Sequence, residues 1–184
     1  GAGQLARRLG LPFRSGGSLC GSKLPDAQAA YETAHTHNAA LLGGVNFMLH
    51  SCGWLEGGLV SSFEKFVMDA DQLGALHQLA KGISVDENAQ ALDAIYEVGP
   101  GGHYLGCAHT QKNFKEAFWR SDVLDYKPFE TWDEEGARDT MLLAAQRVEK
   151  LMENYQKPDL DPAIAEALET YVVQKKASVP DSFV

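Results

Sequence analysis

Val45-Asn46-Phe47-Met48-Leu49 is a compact apolar run that lies between the glycine pair Gly43-Gly44 and a polar loop at residues 50–58. A run of this length with such boundaries is typical of a strand buried on both faces of a parallel sheet. An alanine-rich periodic segment at 26–42 precedes it, and Pro25 stands near the start of that segment, where proline favours a helix. The chain is therefore predicted to pass from a helix into a buried strand, as α/β proteins do.

The same alternation of helix and strand extends over the first two thirds of the chain. The predicted elements are helices over 4–9, 26–42, from Ser61 or Ser62 to about Lys81, and 86–97, and strands over 11–14, 45–49 and 102–107. Parallel strands need crossover connections, so this order predicts a parallel sheet. Polar residues cluster after each predicted strand, at the end where a β/α barrel carries its active site. Because such a barrel needs eight strands, the predicted fold class is α/β, a partial TIM-type (β/α) barrel followed by C-terminal helices.

A glycine-rich run follows the fourth predicted helix, and it reads Gly99-Pro100-Gly101-Gly102-His103-Tyr104-Leu105-Gly106-Cys107-Ala108-His109-Thr110. Glycine reaches positive φ at little cost and proline fixes its own φ, so the backbone is expected to turn sharply here. Two histidines, an aromatic hydroxyl and a thiol come directly afterwards. This pattern predicts a functional site rather than a spacer.

The chain is predicted to divide into two parts. Residues 1–112 are expected to form the C-terminal part of the barrel, and residues 113–184 a helical C-terminal extension that packs on it. The extension is predicted to contain a short aromatic helix at 113–120, a helix from Thr131 to about Gln156 and a final helix at 162–176. Thr131 and Glu134 have the spacing of a capping box. The first ten residues resemble the middle of a helix, so we expect a fragment of a longer protein.

Charge and cysteine content exclude several classes of protein. The formal net charge is −9 at pH 7, and no stripe of basic residues is available to bind a phosphate backbone, so no nucleic-acid partner is expected. Cys20, Cys52 and Cys107 form no C-x-x-C pair, which disfavours disulfides and structural zinc and favours a reducing cytoplasm. No stretch approaches the roughly 18 apolar residues of a membrane span, and no signal peptide is recognisable, so no membrane association is expected.

Several stretches, taken in order, resemble the trimethylamine methyltransferase family. They are Gly3-Gln4-Leu5-Ala6-Arg7, Pro12-Phe13-Arg14-Ser15-Gly16-Gly17, Ser22-Lys23-Leu24-Pro25-Asp26 with Gln28-Ala29, Gly99-Pro100-Gly101-Gly102 leading to His109-Thr110, and Trp132-Asp133-Glu134-Glu135-Gly136. Each motif alone is weak, but their order is specific, and the resemblance covers essentially all 184 residues. Because a full family member is well over twice this length, the chain is identified as the C-terminal portion of such a protein.

This resemblance implies an enzyme that transfers a methyl group from a methylated amine to the Co(I) of a separate corrinoid protein. The corrinoid, a cobalamin, is therefore expected on that partner, and no cofactor is expected to be bound covalently to this chain. Trimethylamine enzymes of the family carry pyrrolysine, which this sequence lacks, whereas relatives without it include enzymes that demethylate glycine betaine. A quaternary, betaine-like substrate is thus favoured over trimethylamine, and the fragment alone is expected to be inactive.

The nitrogen of a quaternary amine already carries the charge of a good leaving group, so the protein must bind and align it rather than deprotonate it. Aromatic faces and an occasional carboxylate bind such cations. The candidates near predicted strand ends are Phe47, Trp54 and Tyr104, with Glu56 as the counter-charge. A carboxylate on the substrate would be bound by Arg14, by a histidine or by backbone N–H groups.

Three further residues complete the predicted site. Lys23 lies in the loop after the first predicted strand, and the family motif passes through it. His50 and His109 are candidate catalytic residues, because a tertiary amine must be protonated or otherwise activated before its methyl group leaves. No metal is expected, since His103 and His109 are six residues apart and form no close ligand pair. No dinucleotide-binding fingerprint occurs either, which disfavours a flavin or nicotinamide enzyme.

Several of these side chains also have a purely structural interpretation. Phe47 lies in an apolar run, where core packing is the commoner role. Cys52 and Cys107 would more often be buried free thiols than nucleophiles. Glu64 and Asp69 fall in a long helix, where a solvated face explains them. The remaining histidines of the helices, His35, His37 and His77, are expected on helix surfaces or in helix packing.

A second hypothesis of a different class remains open. An incomplete sheet leaves unpaired strand edges that invite pairing with another copy of the chain, so a homo-oligomer is expected. The chain would then be a catalytically incompetent fragment or an oligomeric binding module of the same fold. Turnover of a methylated amine by the complete parent protein separates the two hypotheses.

Overall fold

The computed structural model describes residues 1–179 and divides the chain into two compact units, Gly1–Lys150 and the part that begins at Leu151. The first unit contains α1 (Ala2–Arg8), β1 (Arg14–Gly16), α2 (Ala27–Leu42), β2 (Phe47–Leu49), β3 (Trp54–Leu55), β4 (Val60–Ser61), α3 (Phe63–Lys81), α4 (Glu87–Gln90), α5 (Leu92–Val98), α6 (Ala108–Asn113) and α7 (Phe129–Glu134). α8 (Thr140–Glu153) begins in the first unit and ends just past its boundary, and α9 (Pro162–Ser178) belongs to the second unit.

β1, α2 and β2 form a βαβ unit. β1 and β2 are parallel, with Arg14 opposite Phe47, Ser15 opposite Met48 and Gly16 opposite Leu49. α2 is the crossover between them, and it packs against β1 and α3. The parallel pairing expected from the alternation of helix and strand is therefore confirmed for these two strands. β3 and β4 form a separate antiparallel pair.

Capping side chains decide where the two long helices begin. The Asp26 carboxylate accepts hydrogen bonds from the Ala29 N–H (3.0 Å) and the Ser22 hydroxyl (2.9 Å) at the start of α2, and these bonds hold the pKa of Asp26 below its ordinary value. The Ser62 hydroxyl accepts from the Lys65 N–H (3.2 Å) at the start of α3. α3 ends at Gly82, whose φ is 75°. The predicted bounds of both helices are confirmed.

The sheet is smaller and more exposed than the apolar run at 45–49 predicts. The Phe47 side chain is 62% exposed, so the prediction of a strand buried on both faces, with Phe47 in the core, is wrong. The physical reason is that β1 and β2 are the whole of this sheet within residues 1–179, so side chains of only one neighbouring strand flank Phe47 on its face of the sheet. The buried apolar cluster beside it is small and consists of Cys20, Ala29 and Leu55.

Several predicted elements in the second half of the first unit are wrong. The segment 102–107 forms turns instead of a strand, because Gly99 and Gly101 take φ values of 67° and 77°. The predicted helix at 86–97 is divided at Ala91, which has a φ of 51°. The predicted aromatic helix at 113–120 is mostly turns, and the predicted capping box is not formed. Pro128 precedes α7, so Thr131 lies inside that helix.

The second unit contains α9, as predicted from Pro162 onwards. The Asp161 carboxylate accepts from the Ala163 N–H (2.9 Å) and the Ile164 N–H (3.3 Å), which satisfies the first free donors of the helix. The last five residues of the chain lie outside the described part. No helix within residues 1–179 is both long enough and apolar enough to cross a membrane. The division at 112/113 and the barrel remain predictions.

Two adjacent glycines at the end of β1 test how closely the chain packs against α2. A Cβ atom on Gly17 would lie 2.9 Å from both the His37 ring and the Met48 sulfur, and His37 is fully buried. Gly17→Ala should therefore lower the free energy of unfolding by about 1–3 kcal/mol in urea denaturation. A Cβ on Gly16 meets nothing closer than 3.8 Å, so Gly16→Ala is the matched control and should change it by less than about 0.5 kcal/mol. Equal unfolding midpoints for the two variants would contradict this packing.

Candidate functional site

Two loops at the carboxyl ends of β1 and β2 are joined along their length by hydrogen bonds. We refer to residues 17–22 as the first loop and to residues 50–57 as the second loop. The bonds run from Gly17 N to Leu49 O (3.0 Å), Ser18 N and Oγ to His50 O (2.9 and 3.0 Å), Cys20 Sγ to Trp54 O (3.3 Å), Glu56 N to Ser22 O (2.8 Å) and Gly57 N to Cys20 O (2.7 Å). The bonds of Gly17 and Ser18 continue the register of the two strands, and the later bonds hold the two loops together beyond the sheet.

His50 stands at the point where β2 ends, in a backbone conformation that is unusual for its type. Its φ is 53°, in the left-handed region, and its carbonyl accepts both hydrogen bonds from Ser18. Its ring meets the Trp54 ring in a T-shaped arrangement, with centroids 5.6 Å apart and planes at 77°. Strained non-glycine residues persist only where their surroundings hold them, and they cluster at functional sites. The exposed His50 and half-buried Trp54 rings are thus the strongest candidate for a binding surface.

His37 on α2 holds the second loop from below. It is fully buried, and its Nε2 lies 2.9 Å from the Ser51 carbonyl oxygen. That carbonyl can only accept, so Nε2 carries the proton and donates. Burial lowers the pKa of His37, and its Nδ1 has no hydrogen-bond partner within the described residues. His37 is therefore a neutral imidazole in the packing of α2, which is one of the two places predicted for it.

A buried ion pair on α3 holds the same loop at a second point. The Lys65 ammonium lies 2.5 Å from the Asp69 carboxylate, and the two residues are 1% and 3% exposed. The same carboxylate oxygen accepts the Gly53 N–H at 2.8 Å. The ammonium also donates to the Thr33 hydroxyl on α2 at 2.8 Å. The prediction that Asp69 lies on a solvated helix face is therefore wrong.

The burial of this ion pair has no clear signal in the sequence. Lys65 and Asp69 are four residues apart on one helix, and Leu76 continues the same face and is buried. Other large apolar residues of α3, Phe63, Phe66 and Leu79, are exposed, so the apolar pattern of the helix does not identify its buried face. Glu64, the other carboxylate named with Asp69, is half-buried and accepts from the Ser62 hydroxyl at 2.6 Å.

The eight predicted site residues fall into distinct groups. His50, Trp54 and Glu56 share the second loop, and Glu56, with a φ of 49°, begins a short 3-10 turn at Glu56–Gly58. Arg14 and Phe47 are exposed and lie opposite each other at the amino ends of β1 and β2. The structure thus places the first three in the loop after β2, with the His50 and Trp54 rings in contact, and the other two at the opposite end of the strands.

Lys23, Tyr104 and His109 have other surroundings. The exposed Lys23 ammonium donates to the Gly21 carbonyl at 2.8 Å. Tyr104 lies in the turns before α6 and is 45% exposed. His109 lies inside α6, where its Nε2 is 2.7 Å from the Asn88 carbonyl oxygen, and it lines a cavity of about 650 Å³ beside α4 and α5. Neither His50 nor Trp54 lines that cavity. The roles of all eight residues in catalysis or binding stay predictions.

The cysteines do not form a reactive centre. Burial raises the pKa of the Cys52 thiol to about 11 and also raises that of Cys20, so both are protonated at neutral pH. Hydrogen bonding with Thr110 lowers the pKa of Cys107, whose side chain is nevertheless buried. All three thiols are free, and residues 1–179 contain no cluster of His, Cys, Asp and Glu that would hold a metal ion.

A further cavity, of about 390 Å³, lies beside the ion pair. Thr33, Lys65 and Asp69 form part of its wall, together with apolar residues that include Met68, Val123 and Met141. None of the eight predicted site residues lines this cavity. The ion pair therefore borders a cavity although its side chains are almost fully buried.

Comparisons with known proteins agree on one family. The model of the trimethylamine methyltransferase (MTTB) family matches residues 1–180. Glycine betaine methyltransferase from Desulfitobacterium hafniense (strain Y51) is 43% identical over 176 residues, which is 96% of this chain and 36% of the relative. Trimethylamine methyltransferase MttB from Methanosarcina barkeri (strain Fusaro) is 31% identical over 169 residues, or 92% of this chain and 34% of the relative. The chain thus spans about a third of the length of these relatives.

The burial of the His37 imidazole beneath the second loop predicts how the free energy of unfolding depends on pH. Burial keeps the imidazole neutral in the folded state, whereas the unfolded chain binds a proton near pH 6.5. The unfolded state therefore binds more protons below that pH, and the free energy of unfolding should fall by at most about 1.4 kcal/mol per pH unit. Urea denaturation of wild type between pH 7.5 and 5.5 should show this loss.

Two variants on α2 identify the source of that loss. His37→Gln should remove most of the pH dependence between pH 7.5 and 5.5. His35→Gln, in which an exposed histidine of the same helix is replaced, should keep it. If His37→Gln retained the full slope of wild type, His37 would not be the titrating group.

Proposed function

The chain belongs to the trimethylamine methyltransferase family, and we propose that it forms part of an enzyme that transfers a methyl group from glycine betaine, or a closely similar quaternary amine, to Co(I) of a corrinoid carried by a partner protein. The observation that carries this proposal is the His50–Trp54 ring pair, held above the carboxyl end of β2 by buried side chains. It offers a π-face to a cation at the edge where β/α folds bind their ligands.

Glycine betaine is favoured over trimethylamine as the substrate. The chain is 43% identical to a glycine betaine methyltransferase and 31% identical to a trimethylamine methyltransferase over similar lengths. The sequence also contains no pyrrolysine, the residue that the trimethylamine enzymes of this family carry. Both observations support a substrate whose nitrogen is already quaternary and needs no activation before the methyl group leaves.

The proposed site provides binding and alignment. The Trp54 face attracts the trimethylammonium group, since aromatic faces bind quaternary cations with up to about 2 kcal/mol when water is excluded. Glu56, two residues further along the second loop, supplies a negative charge for the same cation. When the methyl group leaves, the electrons of the C–N bond stay on nitrogen, and the new lone pair takes a proton. His50, beside Trp54, is placed to supply that proton.

The methyl acceptor needs an apolar surface beside the same site. Leu19 of the first loop and Leu59, directly after the 3-10 turn, are exposed, and the Leu19 side chain approaches Gly58. Such a surface fits the flat face of a corrin ring, which supplies Co(I) as the nucleophile. These leucines would exclude water from the approach to the substrate methyl group, so that attack occurs along a fixed line.

We also propose that β1–α2 and β2–α3 are consecutive units of a TIM-type barrel whose other strands lie outside this sequence. The parallel register and the polar loops at the carboxyl ends of both strands support this arrangement. A reducing, cytoplasmic location is proposed on the three free thiols.

An oligomeric binding module without turnover is the second candidate. It is favoured by one observation, that β1 and β2 form a two-stranded sheet with unpaired outer edges within residues 1–179. Under this alternative the complete protein would associate with itself and leave methylated amines unchanged.

Demethylation of glycine betaine is the expected activity of the complete protein that contains this sequence. Mixed with Co(I) cobalamin, the protein should convert the Co(I) spectrum to that of methylcobalamin with glycine betaine and much more slowly with trimethylamine. Trp54→Leu should raise the KM for betaine about thirtyfold, which corresponds to about 2 kcal/mol of lost cation–π attraction. Trp54→Phe, which keeps an aromatic face, is the matched control and should retain most of the affinity.

A neutral analogue separates cation binding from shape. 3,3-Dimethylbutanoate has the shape of glycine betaine but carbon in place of the charged nitrogen, so it should compete poorly with betaine for binding to the wild-type protein. In Trp54→Leu the preference for betaine over this analogue should disappear. If Trp54→Leu still preferred betaine over the analogue, the proposed site would be wrong. If the wild-type protein turned over no amine, the proposed function would be wrong.

A further inference from the structure

We propose that Asp69 is a positioning residue for the betaine site, and that Lys65 serves to keep its carboxylate in place. This inference rests on the function proposed above. Asp69 touches neither His50 nor Trp54, but its carboxylate binds the backbone of Gly53, which lies between them in the sequence. The pair would thus set the distance and angle between the two rings that receive the substrate.

The backbone of the second loop is bound at three successive groups, from the Gly53 N–H to the Trp54 carbonyl. The Gly53 carbonyl accepts the Ser62 N–H at 3.1 Å, and the Gly53 N–H donates to Asp69 at 2.8 Å. Gly53 has a φ of 86°, and a Cβ there would lie 3.2 Å from the Phe66 side chain. The Trp54 carbonyl is bound in turn by the Cys20 thiol. The peptide that leads into Trp54 therefore has little freedom once Asp69 is bound to it.

The attraction between the two charges does not by itself explain a buried ion pair in this position. Removing two charges from water is costly, and an apolar pair of similar volume is often as stable or more stable. An apolar pair, however, cannot accept the Gly53 N–H, and that donor would then be buried without a partner. What the pair provides beyond packing is an acceptor for one particular amide, with a fixed orientation.

Lys65 and Thr33 explain why the carboxylate keeps that orientation. The Lys65 ammonium bridges the Asp69 carboxylate on α3 and the Thr33 hydroxyl on α2. The Thr33 hydroxyl in turn donates to the Ser18 carbonyl at 3.4 Å, and Ser18 binds the carbonyl of His50. The network therefore begins at Gly53 in the second loop and returns to His50 through the first loop. The backbone of His50 and the backbone of Gly53, directly before Trp54, are thus both attached to it.

Two double variants separate the acceptor from the charges. Lys65→Met/Asp69→Asn and Lys65→Met/Asp69→Leu both remove the ion pair, and asparagine and leucine have the same number and branching of side-chain heavy atoms. They differ in whether residue 69 can accept the Gly53 N–H. Both are made in the complete protein and compared by hydrogen exchange at residues 50–55 and by KM and kcat for glycine betaine with Co(I) cobalamin.

The expected result is a difference between these two variants in both measurements. With leucine at position 69, exchange of the Gly53 amide should be about a hundredfold faster than with asparagine. The KM for betaine should be about tenfold higher, with kcat changed less than about threefold, because the loop binds the cation and the acceptor performs the attack. Equal exchange rates, or faster exchange with an unchanged KM, would overturn the inference.

A third double variant keeps the inference testable if the leucine variant does not fold. Lys65→Gln/Asp69→Asn removes both buried charges, so that neither is left unpaired, and it keeps an oxygen at residue 69 that can accept the Gly53 N–H. KM and Gly53 exchange should therefore stay within about threefold of wild type. A tenfold increase in either would overturn the inference.

Failure of the proposed function has a different signature. If wild type demethylates no amine, that function is wrong, and hydrogen exchange alone then decides whether Asp69 holds the second loop.

Discussion

The hydrogen-bonded attachment of the second loop is the constraint on which the rest of the structure depends. Two buried side chains, one from each of two helices, reach this one segment: His37 binds its Ser51 carbonyl, and Asp69, supported by Lys65, binds its Gly53 N–H. A left-handed histidine backbone has to be held by its surroundings. These contacts and those from the first loop hold the His50 backbone in that conformation. They fix the backbone of the second loop and leave the His50 and Trp54 rings at the surface.

The local parts of the fold could be predicted from the sequence because local chemistry decides them. A side-chain oxygen directly before a periodic segment favours the start of a helix there, and Asp26 and Ser62 supply it for α2 and α3. Gly82 ends α3 because glycine adopts positive φ at little cost. The segment at 102–107 was wrongly expected to be a strand, since strand formation needs a partner and short apolar runs do not specify one. The exposure of Phe47 has the same origin, because burial depends on which strands are present.

The candidate site could be predicted in part. His50 and Trp54 were indicated by their position after a predicted strand, and the structure brings their rings together. The prediction did not include Lys65 or Asp69, because burial of a charge depends on a partner element distant in sequence, here Thr33 on α2. Motif analysis favours residues that react, whereas residues that hold a loop carry no motif. Only the structure shows that they share a helix face with the buried Leu76.

The most direct test of this account is a crystal structure of the complete protein with glycine betaine bound and without its corrinoid partner. The account predicts the quaternary nitrogen within about 6 Å of the Trp54 ring centroid, beside His50, with the Gly53 N–H still bound to Asp69. Betaine bound in the cavity beside Met68 and Val123 instead, or bound while the second loop is released from Asp69, would contradict it.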